Sequence, residues 1–101
     1  MYHAWINTTD GDLLRADRIR QINSVEGVRA VTVGGSQFLV AEVEGRQAAI
    51  SVARGLTCAI AEADTWSCAA EIAVVRDGDG WKVRLRPMPE LRTVAADATA
   101  A

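Results

Sequence analysis

Residues 29–54 constrain the fold more than any other part of the chain. They contain two turn-forming pairs, Gly-Gly at 34–35 and Glu-Gly at 44–45, each lying between apolar and β-branched residues. Glycine readily adopts the positive φ angles that tight hairpin turns require. These residues are therefore predicted to form three antiparallel strands, with Leu39 opposite Ile50.

Both faces of this predicted sheet are rich in apolar residues, whereas an antiparallel sheet with one solvated face alternates apolar and polar residues. The residues expected to be buried within the chain are Leu39, Ala41, Val43, Ala48 and Ile50. The second face is expected to carry Val31, Val33, Phe38 and Val40. That face needs a cover, which could be a helix, the C-terminal hairpin or a second copy of the chain.

The N-terminal segment is predicted to form a hairpin. Residues 2–7 alternate between the two faces of a strand and are followed by a loop rich in Asp and Gly. Residues 13–22 are predicted to return as a second strand with a kink near Ala16 and Asp17. A helix over residues 13–22 is the alternative, because some of their apolar side chains also recur at helical spacing.

A second hairpin is predicted near the C-terminus. Residues 66–75 show a period of two, and after an Asp-Gly-Asp-Gly turn Trp81, Val83 and Leu85 alternate with basic residues. Pairing of Val74 with Val83 would place Glu71 opposite Arg86, where opposite charges attract across the two strands. The register that pairs the apolar residues is therefore also the one that pairs the opposite charges.

The segment between the predicted sheet and this hairpin favours a helix. Residues 56–63 contain good helix formers, with Thr57 available as the N-cap. A continuous helix over residues 56–75 is the alternative. The whole pattern predicts one small α+β domain over residues 1–92, mainly antiparallel β, with a β-meander, one short helix and a C-terminal hairpin. Residues 93–101 are predicted to form a disordered tail.

Composition excludes several classes of protein. Half of the 101 residues are hydrophobic, which excludes a wholly disordered chain. The formal charge of −2 provides no overall attraction to nucleic acid or to an anionic membrane. The sequence has neither a run of apolar residues long enough to span a bilayer nor the pattern of a secretory signal. A cytoplasmic location is therefore expected.

No catalytic or metal-binding motif is present. His3 is the single histidine, and the sequence fixes no nucleophile beside it. Cys58 and Cys68 lack the C-x-x-C spacing of a zinc site and are expected to be buried, inert thiols, with a disulfide as the alternative. The chain is therefore predicted to be neither an enzyme nor a protein that holds a metal or cofactor.

The function favoured by these patterns is a protein-interaction, assembly or regulatory module, either self-associating or binding another protein. The residues expected to make those contacts are Val31, Val33, Phe38, Val40 and Trp5. A small-ligand pocket between the sheet and the C-terminal hairpin, lined by Trp66 and Trp81, is the second hypothesis. Weak nucleic-acid binding is the third, because the densest basic region comprises Arg15, Arg18, Arg20 and Arg29.

Overall fold

A computed structural model describes residues 3–88 of the chain. The strands in that range are β1 (Ala4–Asn7), β2 (Leu13–Arg15), β3 (Ile19–Asn23), β4 (Val28–Thr32), β5 (Gln37–Ala41), β6 (Ala70–Asp77) and β7 (Gly80–Pro87). A 3-10 helix, Ala16–Arg18, separates β2 from β3, and one α-helix, α1 (Arg46–Ala63), separates β5 from β6. The prediction of a small α+β domain is confirmed, while the tail predicted for residues 93–101 lies outside the described residues.

The strands form two sheets. The larger has the order β2-β1-β6-β7, and the smaller has the order β3-β4-β5. All neighbouring pairs are antiparallel except β1 and β6, which run parallel. Parallel neighbours need a long crossover connection, and here that connection contains the whole smaller sheet and α1. The smaller sheet is a β-meander, as predicted, but it comprises residues 19–41 instead of residues 29–54.

The prediction that residues 46–54 form a third strand is wrong. Gly45 does have a positive φ of 90°, but it occupies the N-cap position of α1 instead of a hairpin turn. The next 18 residues include six alanines and bury apolar side chains at alternating spacings of three and four. The buried residues are Ala49, Val52, Leu56, Ala59 and Ala63. The helical spacing of the buried residues therefore decides the conformation of this segment, in spite of its short-range alternation. The predicted pairing of Leu39 with Ile50 is absent because Ile50 lies in α1.

Details within α1 also differ from the predictions. Ala48 is exposed and Ile50 is half-buried, because they lie away from the face that packs on the core. Thr57 lies inside the helix and its hydroxyl donates a 3.0 Å hydrogen bond to the Ala53 carbonyl, so it is not an N-cap. The helix ends at Ala63, which excludes the continuous helix over residues 56–75.

The hydrophobic core lies where α1 meets both sheets. Leu56 is completely buried, together with Ile6 and Ile72 from the larger sheet and Val28 and Ala30 from the smaller one. Helix α1 packs mainly against β6 and β7 and also reaches β3 and β4. The helix thus covers Val28, Ala30 and Val40 of the smaller sheet, whereas Val33 of the predicted second face is exposed.

Both predicted hairpins are present. The kink predicted between residues 13 and 22 corresponds to the 3-10 helix. This helix connects β2 in the larger sheet with β3 in the smaller one. In the C-terminal hairpin, Val74 is opposite Val83 and Glu71 is opposite Arg86, as predicted. Its first strand begins only at Ala70, so residues 66–69 are a connection.

We expect Gly27→Ala to lower the free energy of unfolding by more than about 2 kcal/mol. The alanine would be held in a left-handed backbone conformation, and its methyl group would overpack the site. Gly27 has a φ of 94°, and a Cβ at this position would lie 2.8 Å from the Ala41 carbonyl oxygen. Gly35→Ala is the matched control, because Gly35 has a φ of 91° but open space around it. Urea denaturation should show a loss of about 1 kcal/mol for the control. Equal losses would contradict the close approach of β5 to Gly27.

Candidate functional site

Strand β7 has one edge that no other strand pairs with among residues 3–88. The Met88 amide donates a 2.9 Å hydrogen bond to the Ala69 carbonyl, which fixes the alternation of the β6–β7 ladder. The backbone groups of Lys82, Arg84 and Arg86 therefore point towards β6. Those of Trp81, Val83 and Leu85 point outwards at the unpaired edge, because successive residues of the antiparallel ladder alternate in direction.

The side chains of these outward-bonding residues face α1. Between helix and strand lies a groove of about 520 Å³, called here the α1–β7 groove. Its walls are formed by Val52, Gly55, Cys58, Ala59, Val83 and Leu85, with Ser51, Glu62 and Trp81 at its margins. A largely apolar groove therefore runs directly beside unpaired backbone donors and acceptors.

Gly55 sets the depth of the groove. A Cβ at this position would lie 2.9 Å from Cγ2 of Val83, so only glycine lets the helix approach the strand this closely. Ala59 and Cys58, one turn further along the helix, are also small. The helix face beside β7 therefore leaves room for side chains that come from elsewhere.

The opposite face of β7 is basic. Lys82, Arg84 and Arg86 are exposed there and are called here the basic stripe. Arg86 Nε donates a 2.6 Å hydrogen bond to Glu71 Oε1, whereas Lys82 and Arg84 form no ion pair with any described residue. The Arg86 guanidinium lowers the pKa of Glu71, and a hydrogen bond from Asn7 acts in the same direction.

Trp81 closes the groove at the tip of the hairpin. The Arg76 guanidinium lies 5.1 Å from the centre of its ring, which is a cation–π contact. Trp81 also borders two smaller depressions, of about 220 and 370 Å³, one between the sheets and one beside the first turns of α1. The indole is therefore fixed in position while part of it stays accessible.

The histidine belongs to a charged cluster at the start of β1. Arg15 Nη2 donates a 2.7 Å hydrogen bond to Asp17 Oδ2 and lies 3.4 and 3.3 Å from the two ring nitrogens of His3. This hydrogen bond lowers the pKa of Asp17. Asp17 is 3.8 Å from His3 Nδ1, too far for the hydrogen bond that orients a catalytic base.

Another depression, of about 720 Å³, lies elsewhere on the surface. It is formed by the loop at residues 24–27, by residues 42–46 and by parts of β4 and β5. Three glutamates and two arginines surround it, so its charge is mixed. The rim includes Val25, whose side chain is exposed.

The structure separates the five residues predicted to contact a protein partner. Val31 and Val40 are buried in the chain's own core, and Val33 is exposed in the β4–β5 turn. Phe38 is half-buried opposite Ala30 and so does not share a face with Val31, which is opposite Gln37. A β-bulge next to Val28 shifts the register and lets successive residues of β5 be buried.

Trp5 is half-buried on the outer face of β1, opposite Arg15. The second group of predicted residues is also dispersed. Arg15 is in β2, Arg18 in the 3-10 helix, Arg20 in β3 and Arg29 in β4. Arg15 is ion-paired, and Arg29 borders the depression of about 720 Å³.

Trp66 is half-buried in the connection between α1 and β6, and Trp81 alone of the two predicted tryptophans borders the groove. Apart from Trp81, sequence reasoning predicted none of the residues that line the groove as site residues, including Gly55, Val83 and Leu85. The alternation of residues 81–86 was visible in the sequence. Its position at the edge of a sheet was not, because strand order depends on long-range contacts.

Within residues 3–88, no three His, Cys, Asp or Glu side chains are grouped so that they could hold a metal ion. None of the helices in the described part of the chain is both long and apolar enough to cross a membrane.

Comparison with known proteins adds no assignment. The chain matches no protein family, no curated protein and no solved structure. Any function must therefore be argued from the geometry of the chain itself.

We expect Glu71→Gln to lower stability at pH 7 by about 0.5 kcal/mol, the usual size for a partly exposed ion pair. The folded pKa of Glu71 lies below the ordinary value of 4.5, so the stabilisation is complete above that pH and is lost as the pH falls through the folded pKa. Urea denaturation across this range should show wild type and variant converging in acid. Glu62→Gln, which removes a carboxylate without an ion pair in the described structure, is the control. A difference independent of pH would contradict the role of the Glu71 charge.

Proposed function

We propose that the chain is a non-catalytic protein-interaction module that binds an extended segment of another protein as an additional strand on β7. The observation that supports this is the unpaired edge at Trp81, Val83 and Leu85 beside the α1–β7 groove. Strand addition derives affinity from backbone hydrogen bonds and selectivity from pockets for alternate side chains. Both elements are present at this edge.

The register of an added strand follows from sheet geometry. Residues that lie directly opposite each other in neighbouring strands share a face. Residues of the bound segment opposite Trp81, Val83 and Leu85 would therefore project over the groove. The residues between them would project beside the basic stripe.

The charges on β7 favour a different protein as the partner over a second copy. In an antiparallel pairing of two β7 strands, any register that keeps the apolar residues on one face places the basic stripes opposite each other. Like charges directly opposite destabilise such a pair, and basic edge residues are a common protection against self-pairing. Self-association through another surface remains a prediction, and light scattering measures it.

The small-ligand and nucleic-acid hypotheses have weaker support. Trp81 borders shallow depressions that could hold part of a small ligand, and the predicted arginines are spread over several elements. A cytoplasmic setting stays part of the proposal, because Cys58 and Cys68 are both free thiols, as expected in a reducing compartment.

The test is selection of ten-residue peptides from a displayed random library, followed by NMR of the protein with each selected peptide. We expect the peptides to shift the amide signals of Trp81, Val83 and Leu85 and to slow their hydrogen exchange, because these amides gain partners. Cys58 is exposed in the groove and not buried as predicted, so its alkylation should slow as well, with Cys68 as the internal reference.

A pair of variants distinguishes specific binding in the α1–β7 groove from nonspecific binding. Cys58→Trp fills the groove and should abolish binding, whereas Thr57→Trp places the same bulk on an exposed neighbouring position outside it. Peptides that shift signals on another surface, or that bind both variants equally, would refute strand addition at β7.

A further inference from the structure

We infer that the segment bound at β7 alternates apolar and acidic residues, with the apolar residues over the α1–β7 groove and the acidic ones beside the basic stripe. This inference rests on the proposed function and specifies the chemistry of the partner. It follows from the two different surfaces that border one unpaired edge.

The groove side selects apolar residues. Val83 and Leu85 face α1 there, and the helix contributes Gly55 and Ala59. Glu62 lies at the margin of the groove, so an acidic residue on this side would meet a like charge. Apolar side chains of moderate size fit the remaining space.

The opposite side selects acidic residues. Lys82 and Arg84 are exposed and form no ion pair within the described structure, whereas Arg86 is already bonded to Glu71. Two positions of an added strand would therefore meet unpaired cations, each worth roughly a two- to fivefold gain in affinity for a carboxylate. The whole chain has a net charge of −2, so this preference is local to β7.

Synthetic peptides of one pattern test the inference. The acidic peptide is acetyl-Thr-Val-Glu-Val-Glu-Val-Thr-amide, and its two relatives carry Lys or Ser in place of both glutamates. Binding is followed by NMR shifts of the β7 amides. We expect the acidic peptide to bind about tenfold or more tightly than the lysine peptide, with the serine peptide between them, as two charge pairs imply.

Charge reversal on the protein should reverse the order. In the double variant Lys82→Glu with Arg84→Glu, the lysine peptide should bind best. Lys82→Gln with Arg84→Gln should remove the preference with a smaller perturbation of the fold, and thermal unfolding checks that both variants are folded. Arg18→Glu with Arg20→Glu makes the same change of net charge on exposed residues away from β7 and should leave the order unchanged.

The outcomes separate the two claims. Equal binding of all three peptides at β7 would overturn the inference and leave the proposed function intact. A preference that the Arg18 and Arg20 variant also abolishes would overturn it too, because bulk charge would then explain the result. If no peptide shifts the β7 amides, strand addition fails, and the inference fails with it.

Discussion

The packing of α1 against the larger sheet is the interaction on which the rest of the structure depends. Leu56 is fully buried between Ile6 and Ile72 of that sheet and the first residues of β4. Full burial of one such side chain contributes about 2 kcal/mol, and its neighbours on the helix are mostly small. Alanine and glycine on this face let the backbone of α1 lie close to the strands, so one helix can join two sheets into a single core.

The candidate site is a consequence of this packing. Because α1 lies over the β6 and β7 side of the sheet, β7 has one face against the helix and the basic stripe exposed on the other. Gly55 brings helix and strand together, and the groove forms where their side chains diverge. The same placement leaves the outer edge of β7 without a partner strand in the described structure.

Local patterns predicted the hairpins well. Turn residues and alternation fixed the register of β6 with β7, including Glu71 opposite Arg86 and Val74 opposite Val83. The helix was predicted too short, because Glu44 and Gly45 favour a turn and the alanine-rich residues after them suit either periodicity. In the structure Gly45 begins a helix, and burial at three- and four-residue spacing decides the conformation.

The candidate site was less predictable than the fold. The sequence pattern placed Val31 and Val40 on a sheet face that a partner would cover, whereas both residues are buried within the chain itself. The edge position of β7 depends on the parallel pairing of β1 with β6, which joins segments more than sixty residues apart. No local pattern reports such a pairing, so the unpaired edge is visible only in three dimensions.

Amide hydrogen exchange along β7 tests the central claim, an unpaired edge beside the groove, most directly. In the free protein, the amides of Lys82, Arg84 and Arg86 should exchange slowly because they are bonded to β6. Those of Trp81, Val83 and Leu85 should exchange much faster because no strand within residues 3–88 pairs with this edge. Uniform protection of all six amides would show that the edge is already occupied and would contradict the account.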